Sequence, residues 1–218
     1  MKDIQAVRGA RLIHSLIEQG EHEHQDFKFA VSDARKIARS ISAFANNDGG
    51  RLLIGVKDNG TVAGVRNEED IYVVEQAALR YCRPAVEVTF KGYKVDGTML
   101  VIVAEIPAAD FRPVEVLEAD NTTKAYYRVD DENIAAHPLM VDSWRRSRRP
   151  IAFEELHGAV TDFVGDTGSL LDIADIALGL HIGMARASAV VADLAAAGIL
   201  RFVYTGGSFR ITTNNMLL

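Results

Sequence analysis

Two hydrophobic periods divide the first half of the chain. Ala34, Ile37, Ala38, Ile41 and Phe44 recur every three or four residues behind Ser32, a suitable N-cap, and predict a helix with one buried face. Asn46-Asn-Asp-Gly-Gly50 should end it, because Asn and Gly tolerate a left-handed backbone and two successive glycines let another backbone or a ligand approach closely. The apolar run at residues 52–56 predicts a central strand covered on both faces, and Asp58-Asn59-Gly60 turns it into a hairpin with residues 61–65. Upstream, residues 6–19 carry Ala6, Ala10, Ile13 and Ile17 at helical spacing before Gly20. From Gln25 onward the period changes to two, with Phe27 and Phe29 on one face and Asp26 and Lys28 on the other, which predicts an edge or half-buried strand with a charged outer face.

Downstream, residues 68–81 predict a second helix stopped by Pro84, and residues 86–90 and 99–106 a hairpin around Asp96-Gly97. Residues 107–124, with Pro107, Pro113 and a polar Asp120-Asn-Thr-Thr run, are expected as a long loop before a strand at 125–129. A helix is expected over 132–147, and Trp144-Arg-Arg-Ser-Arg-Arg-Pro150 reads as the linker that closes a first domain, 1–147. Helices at 153–164, 170–178 and 184–197 and two strands around Gly206-Gly207 then give residues 148–218 the pattern of a winged helix. The fold class expected is α+β, a mixed sheet with flanking helices followed by a small winged-helix-like domain.

Charge narrows the function classes. The 218 residues carry a formal net charge of -6, which argues against coating nucleic acid by bulk electrostatics and confines any phosphate contact to a local cluster. Residues 151–218 hold three arginines against seven carboxylates, so that cluster is sought earlier in the chain, and Arg145, Arg146, Arg148 and Arg149 supply it. No apolar run is long enough to span a bilayer, no signal peptide is evident, and the expectation is a cytoplasmic protein without a membrane partner. The single cysteine, Cys82, excludes an intrachain disulfide or a cysteine-based zinc site and reads as an inert buried thiol. The third C-terminal helix is rich in alanine with Arg186 as its one base, which favours homodimerisation through that module over DNA reading.

The acid-Phe-Lys of Asp26-Phe27-Lys28 with Glu21 before it, then Ser42-Ala-Phe-Ala-Asn46, Gly49-Gly50, Gly55-Val56, Asp58, Gly60 and Gly64 in fixed order, resemble the Schlafen and Alba-type domain family, and Tyr127-Arg128-Val129 is similar to its terminal strand. The resemblance covers about residues 8 to 145. It implies nucleic-acid binding: bacterial members are labelled DNA-binding proteins or transcriptional regulators, while eukaryotic Schlafen relatives include metal-dependent RNA endonucleases. The nuclease carboxylates of those relatives fall on Glu21, Asp26 and Asp58. That implies a candidate site for Mn or Mg with Lys28 beside it, since clustered carboxylates can hold a cation that activates water and stabilises a transferring phosphate. Asp26 departs from the more usual Glu and retracts that carboxylate by one methylene. Lys28, Arg128 and the four linker arginines are the candidate nucleic-acid contacts. The alternatives to a regulatory nucleic-acid binder are therefore the metal-dependent ribonuclease and a non-catalytic dimeric scaffold. His22 and His24 offer metal-ligand chemistry but fit an exposed polar loop equally, and Gly49-Gly50 runs from helix into strand, the wrong direction for a helix N-terminus to receive a nucleotide phosphate.

Overall fold

The computed structural model describes residues 6–65, 69–97 and 99–214, and the chain divides into one unit ending at Ala135 and another beginning at Ala136. The boundary expected after Ser147 therefore falls earlier. The first unit is built on a five-stranded sheet in the spatial order β1 (Val7–Arg8), β5 (Thr89–Val95), β6 (Met99–Ile106), β3 (Gly50–Ile54), β2 (Gln25–Lys28). The outer strands β1 and β2 run parallel to their neighbours and the inner pairs are antiparallel. Strand alternation sends Leu53, Val101, Val103 and Phe27 to one face, where Ile13 and Leu16 of α1 (Ala10–Glu18) cover them. Leu52, Ile54, Ile102 and Ala104 point the other way, onto Ile37, Ile41 and Phe44 of α2 (Ala34–Asn46). Both faces are covered, which is why the β3 sequence is a continuous apolar run rather than an alternation.

Beyond α2 lies a second, antiparallel sheet of β4 (Cys82–Arg83), β7 (Glu115–Leu117), β8 (Thr123–Val129) and β9 (Glu132–Ala135). Helix α3 (Glu69–Gln76), continued by a wide helical turn over Ala77–Tyr81, flanks α2. Glu68, where that helix was expected to begin, lies outside the described residues. One side of α2 is apolar and faces β3; the other is polar yet equally buried, with Ser40, Ser42, Asn46 and Asn47 all at 6% exposure or less. Those groups replace a neighbouring strand. The Asn46 amide accepts the Val114 N–H at 2.7 Å and donates to the Val114 and Tyr126 carbonyls at 2.9 Å each. Asn47 does the same to Arg128, accepting its N–H and donating to its carbonyl at 3.0 Å. Ser42 Oγ donates to Val114 O at 2.7 Å and accepts from the Tyr126 N–H at 3.0 Å. Side-chain amides thus pair with backbone as a ladder strand would, so that a helix can sit against a sheet without orphaned polar groups. Arg39 adds a bidentate pair to the buried Glu118, at 3.0 and 2.6 Å.

Gly49 has φ +81°, and a Cβ there would lie 2.9 Å from the Ile106 carbonyl oxygen; one on Gly50 would run into the Phe44 ring. The paired glycines serve close packing of helix, strand and neighbouring loop. Cys82 is buried as expected, and burial pushes its thiol up to about 12.

Four sequence expectations shift. Val7 and Arg8 are a strand, paired with Tyr93 and Lys94, so α1 begins only after Gly9. Asp33 rather than Ser32 caps α2, accepting from the N–H groups of Arg35 and Lys36. Residues 115–117 of the expected loop form β7, and Glu118 closes a tight turn onto Thr122 at 2.9 Å. Residues 132–135 form β9, after a turn in which Asp130 has φ +52°. A helix could not run through Pro138, which lacks an N–H and forces the preceding residue to extend; Pro138 instead opens α4 (Pro138–Arg146) at its first turn.

The second unit comprises α4, α5 (Glu155–Thr167), α6 (Ile173–Gly179), α7 (Met184–Ala196) and a hairpin of β10 (Leu200–Thr205) with β11 (Ser208–Thr213) turning at Gly206-Gly207. Its core joins Val160, Val164, Ile176, Val190, Val191, Leu194, Leu200 and Ile211. Leu171 adds a bridge to Ile211. One face of α7 packs into this core and against α4, while Met184 and Ala185 at its start are exposed.

The amide clamp predicts that Asn46→Ala, which deletes four hydrogen bonds and strands buried partners, lowers unfolding free energy by about 2–4 kcal/mol. Denaturant titration with the first unit's signal checks it, and a wild-type midpoint contradicts it.

Candidate functional site

The acidic pair of the motif is held at the start of β2. Gln25, fully buried, donates from its amide to the Leu16 and Gly20 carbonyls at 2.6 and 2.7 Å, tying the end of α1 to β2 and bringing Glu21 back over the strand. Glu21 Oε1 accepts the Phe27 N–H at 2.8 Å, and its carboxyl interacts with that of Asp26. Burial, followed by the neighbouring Asp26 carboxyl, raises the Glu21 pKa above its ordinary value.

Asp26 is 4% exposed, on the face of β2 opposite Phe27. The face expected to meet solvent is covered by α2, β8 and β9, which the two-residue alternation cannot reveal because it shows only that the faces differ. Asp26 Oδ2 pairs with Lys28 Nζ at 2.7 Å and lies 3.5 Å from Ser40 Oγ; Oδ1 is 3.8 Å from Arg128 Nη2. Arg128, expected as a nucleic-acid contact, is 1% exposed. Its guanidinium donates to Asn133 Oδ1 at 2.9 Å and to the Gln25 and His22 carbonyls at 3.3 and 3.4 Å, and its Cζ sits 5.1 Å from the centre of the Phe44 ring. Asn133 in turn donates to Ser40 Oγ at 3.0 Å, closing a polar ring around Asp26.

Asp58 is exposed on the Lys57–Thr61 turn, and among the described residues no three His, Cys, Asp or Glu side chains are gathered so as to hold a metal. The structure therefore brings Glu21, Asp26 and Lys28 together and leaves Asp58 apart. This donor set does not fit a divalent cation: Asp26 has a cation or hydrogen-bond donor at each oxygen, and Glu21 Oε1 is taken up by the Phe27 N–H. A carboxylate engaged on both oxygens is equally unsuited to activating water.

The arginine cluster closes α4. Arg146 is engaged by Asp142 at 2.9 Å and Asp193 at 3.0 Å, whereas Arg145, Arg148 and Arg149 are more open to solvent. Arg145, Arg146 and Arg149 line one cleft of the second unit, of about 390 Å³, together with Asp142 and Asp193. A second cleft, in the first unit, is lined by His22, His24 and Arg51 together with Asp48 and Glu105. Arg51 carries no signal in the sequence, where it is one polar residue between Gly50 and an apolar run; only the strand pairing sets it beside the histidines.

A mixed five-stranded sheet, a helix clamped by side-chain amides to a second sheet and a buried acid-arginine pair define an α+β domain spanning the first unit. The family model described as Schlafen, AlbA_2 matches residues 21–137, and the chain belongs to that family. Among solved structures, it is similar to the DIP2311 protein of Corynebacterium diphtheriae, at 19% identity and a TM-score of 0.43 over 66% of this chain and 30% of that one. It is also similar to the N-terminal domain of a protein of Nitrosomonas europaea related to the ATP-dependent DNA helicase RecG, at 22% identity and a TM-score of 0.41 over 56% of this chain and 88% of that one. The chain thus spans less than a third of the first of these proteins. No protein of curated function matches it.

The Glu21 pKa is raised on folding, so the associated stability is fully present below its ordinary value of 4.5 and is lost as pH rises through the higher folded-state value. Glu21→Gln keeps the acceptor for the Phe27 N–H and can donate to Asp26, and is expected to raise the denaturation midpoint at neutral pH, with the difference closing as the pH falls toward 4.5. A destabilised variant at neutral pH would show instead that the ionised carboxylate is the form the fold requires.

Proposed function

We infer that this protein binds nucleic acid without cleaving it, with the arginines at the end of α4 as its phosphate-contacting segment. The observation that carries this reading is the convergence of Arg145 and Arg149 on one cleft whose aspartates are already engaged by Arg146. An anion entering there meets guanidinium groups without displacing the Arg146 pairs, and arginine suits phosphate because its fork can bind two oxygens at once. Membership of the Schlafen, AlbA_2 family supports a nucleic-acid partner. The engagement of Asp26 by Lys28 and Arg128 supports binding over metal-dependent hydrolysis. We read helices α5, α6 and α7 of the second unit, followed by the hairpin, as winged-helix-like. Arg186 on α7 lines a cleft with Glu154 and Glu155, which favours the α4 segment over that helix as the phosphate contact. A binder of this kind acts by occupancy, and transcription regulation is the role we attach to it. No single helix among the described residues is long and apolar enough to cross a membrane.

The test is binding of labelled DNA and RNA across a salt series. Replacing Arg145, Arg148 and Arg149 by Ala while keeping Arg146 is expected to weaken binding and to flatten the slope of log K against log salt by about 0.7–0.9 for each phosphate that the variant no longer neutralises. Unchanged affinity and slope would contradict the assignment. Cleavage of RNA or DNA on adding manganese, abolished in Asp26→Asn, would contradict the non-catalytic reading.

A further inference from the structure

Helix α3 and the wide turn that continues it present one face to the core and one to solvent. Ile71, Val74, Ala77 and Ala78 are buried, and the two alanines pack toward α2, so no rotation of the segment could carry Leu79 inward without displacing them. Leu79 is 62% exposed and Tyr72 51%, with Val73 half-buried. These three line one shallow groove with Glu75, Gln76 and Arg80. The face is arranged symmetrically about Gln76: Val73 and Leu79 stand three residues to either side of it, and Tyr72 and Arg80 four. Its charge is polarised, with Glu69 and Asp70 in the first turn and Arg80 at the end. Arg83 turns back onto the Arg80 and Cys82 carbonyls at 2.9 Å, and Glu69 and Glu75 each interact within the chain. Among the described residues no carboxylate pairs with the Arg80 guanidinium.

We propose that this face is the contact for a second copy of the chain, paired antiparallel about a two-fold axis beside Gln76. Such a contact is isologous, and residues at equal distances on opposite sides of Gln76 come level with one another. Val73 of one copy then meets Leu79 of the other. The Arg80 guanidinium reaches the Tyr72 ring and, less than one helical turn further along, Glu69. Charge selects this direction, because a parallel pairing would set Arg80 beside Arg80 and Glu69 beside Glu69, whereas reversal lays the basic end of each helix on the acidic end of the other and aligns the helix dipoles favourably. One helix per copy covers less than the roughly 800 Å² per partner of a stable complex, so the dimer is reversible, with a Kd in the micromolar range. The second copy thus meets the first unit rather than α7, and the contact requires no nucleic acid.

The experiment is sedimentation equilibrium of the full chain at low salt, without nucleic acid, over about 1–500 μM, a range that brackets micromolar association. A monomer–dimer equilibrium is expected, and a chain that stays monomeric throughout would overturn the proposal. Leu79→Glu sets a charge against Val73 of the other copy and is expected to weaken association at least about tenfold, while the thermal midpoint of the dilute protein stays that of the wild type because Leu79 is exposed. An undiminished dimer in this variant would put the contact elsewhere and overturn the assignment. Arg80→Glu brings like charge to Glu69 and should weaken the dimer about threefold, and adding Glu69→Arg should restore it. A double variant as weak as the single one would overturn the antiparallel pairing. Gln76→Cys adds a thiol to a chain whose natural Cys82 is fully buried, and it should cross-link to its own counterpart on mild oxidation, since helices packed with axes about 8–10 Å apart bring facing Cα atoms within disulfide reach. Cross-linking that fails, or that persists undiminished with Leu79→Glu, would likewise overturn the contact.

Discussion

A guanidinium with 1% of its surface exposed must be neutralised and hydrogen-bonded where it sits, and the first unit of this protein is arranged around that requirement. Arg128 leaves β8, crosses the end of α2 and meets Asp26 on β2, so one side chain joins the second sheet to the edge of the first. The groups it touches are themselves anchored elsewhere. Asn133 holds Ser40, Asp26 holds Lys28, and the Gln25 whose carbonyl it caps ties down α1. The backbone on either side of its Cα is fixed by Asn47, which leaves the guanidinium little freedom to approach any other anion.

This arrangement decides how the motif residues are used. Ser42, Asn46 and Asn47 make a helix behave toward a sheet edge as a strand would, and Gly49 and Gly50 allow the chain to turn from that helix into β3 beneath Phe44 and against the 106–108 segment. Asp26 supplies the charge that makes Arg128 tolerable in the interior. Functional chemistry is thereby displaced from the buried centre of the motif to the exposed arginines that follow α4 in the second unit.

Much of this is legible in the sequence. The helix over Ala34–Asn46, the buried strand after it, the Asp96-Gly97 hairpin and the three helices and hairpin of the second unit follow from apolar spacing and turn residues. Burial of Asp26 is not legible, because alternation distinguishes the faces of a strand without saying whether the charged one is covered from a distance in sequence, here by Arg128. Asn46 and Asn47 read equally well as helix-stop residues and as amide clamps; the second role depends on residues 68 to 81 positions away, at Val114, Tyr126 and Arg128. Residues 132–135 pass for helix because Pro138 fits the first turn of a helix as well as a break within one, and only pairing with β8 selects between them. The Glu21, Asp26, Asp58 set implied by the family resemblance groups an exposed turn residue with two strand-associated acids that it does not join.

The central claim is that Asp26 and Arg128 are a structural pair, and a double-mutant cycle in unfolding free energy tests it most directly. Asp26→Asn and Arg128→Met, each measured alone and then together, isolate the coupling between the two side chains. The account predicts that each single change costs about 3–5 kcal/mol by leaving an uncompensated buried charge, and that the double variant loses far less than the sum. Additive losses, or an Asp26→Asn variant as stable as the wild type, would contradict it and return Asp26 to the set of residues free to act on a ligand.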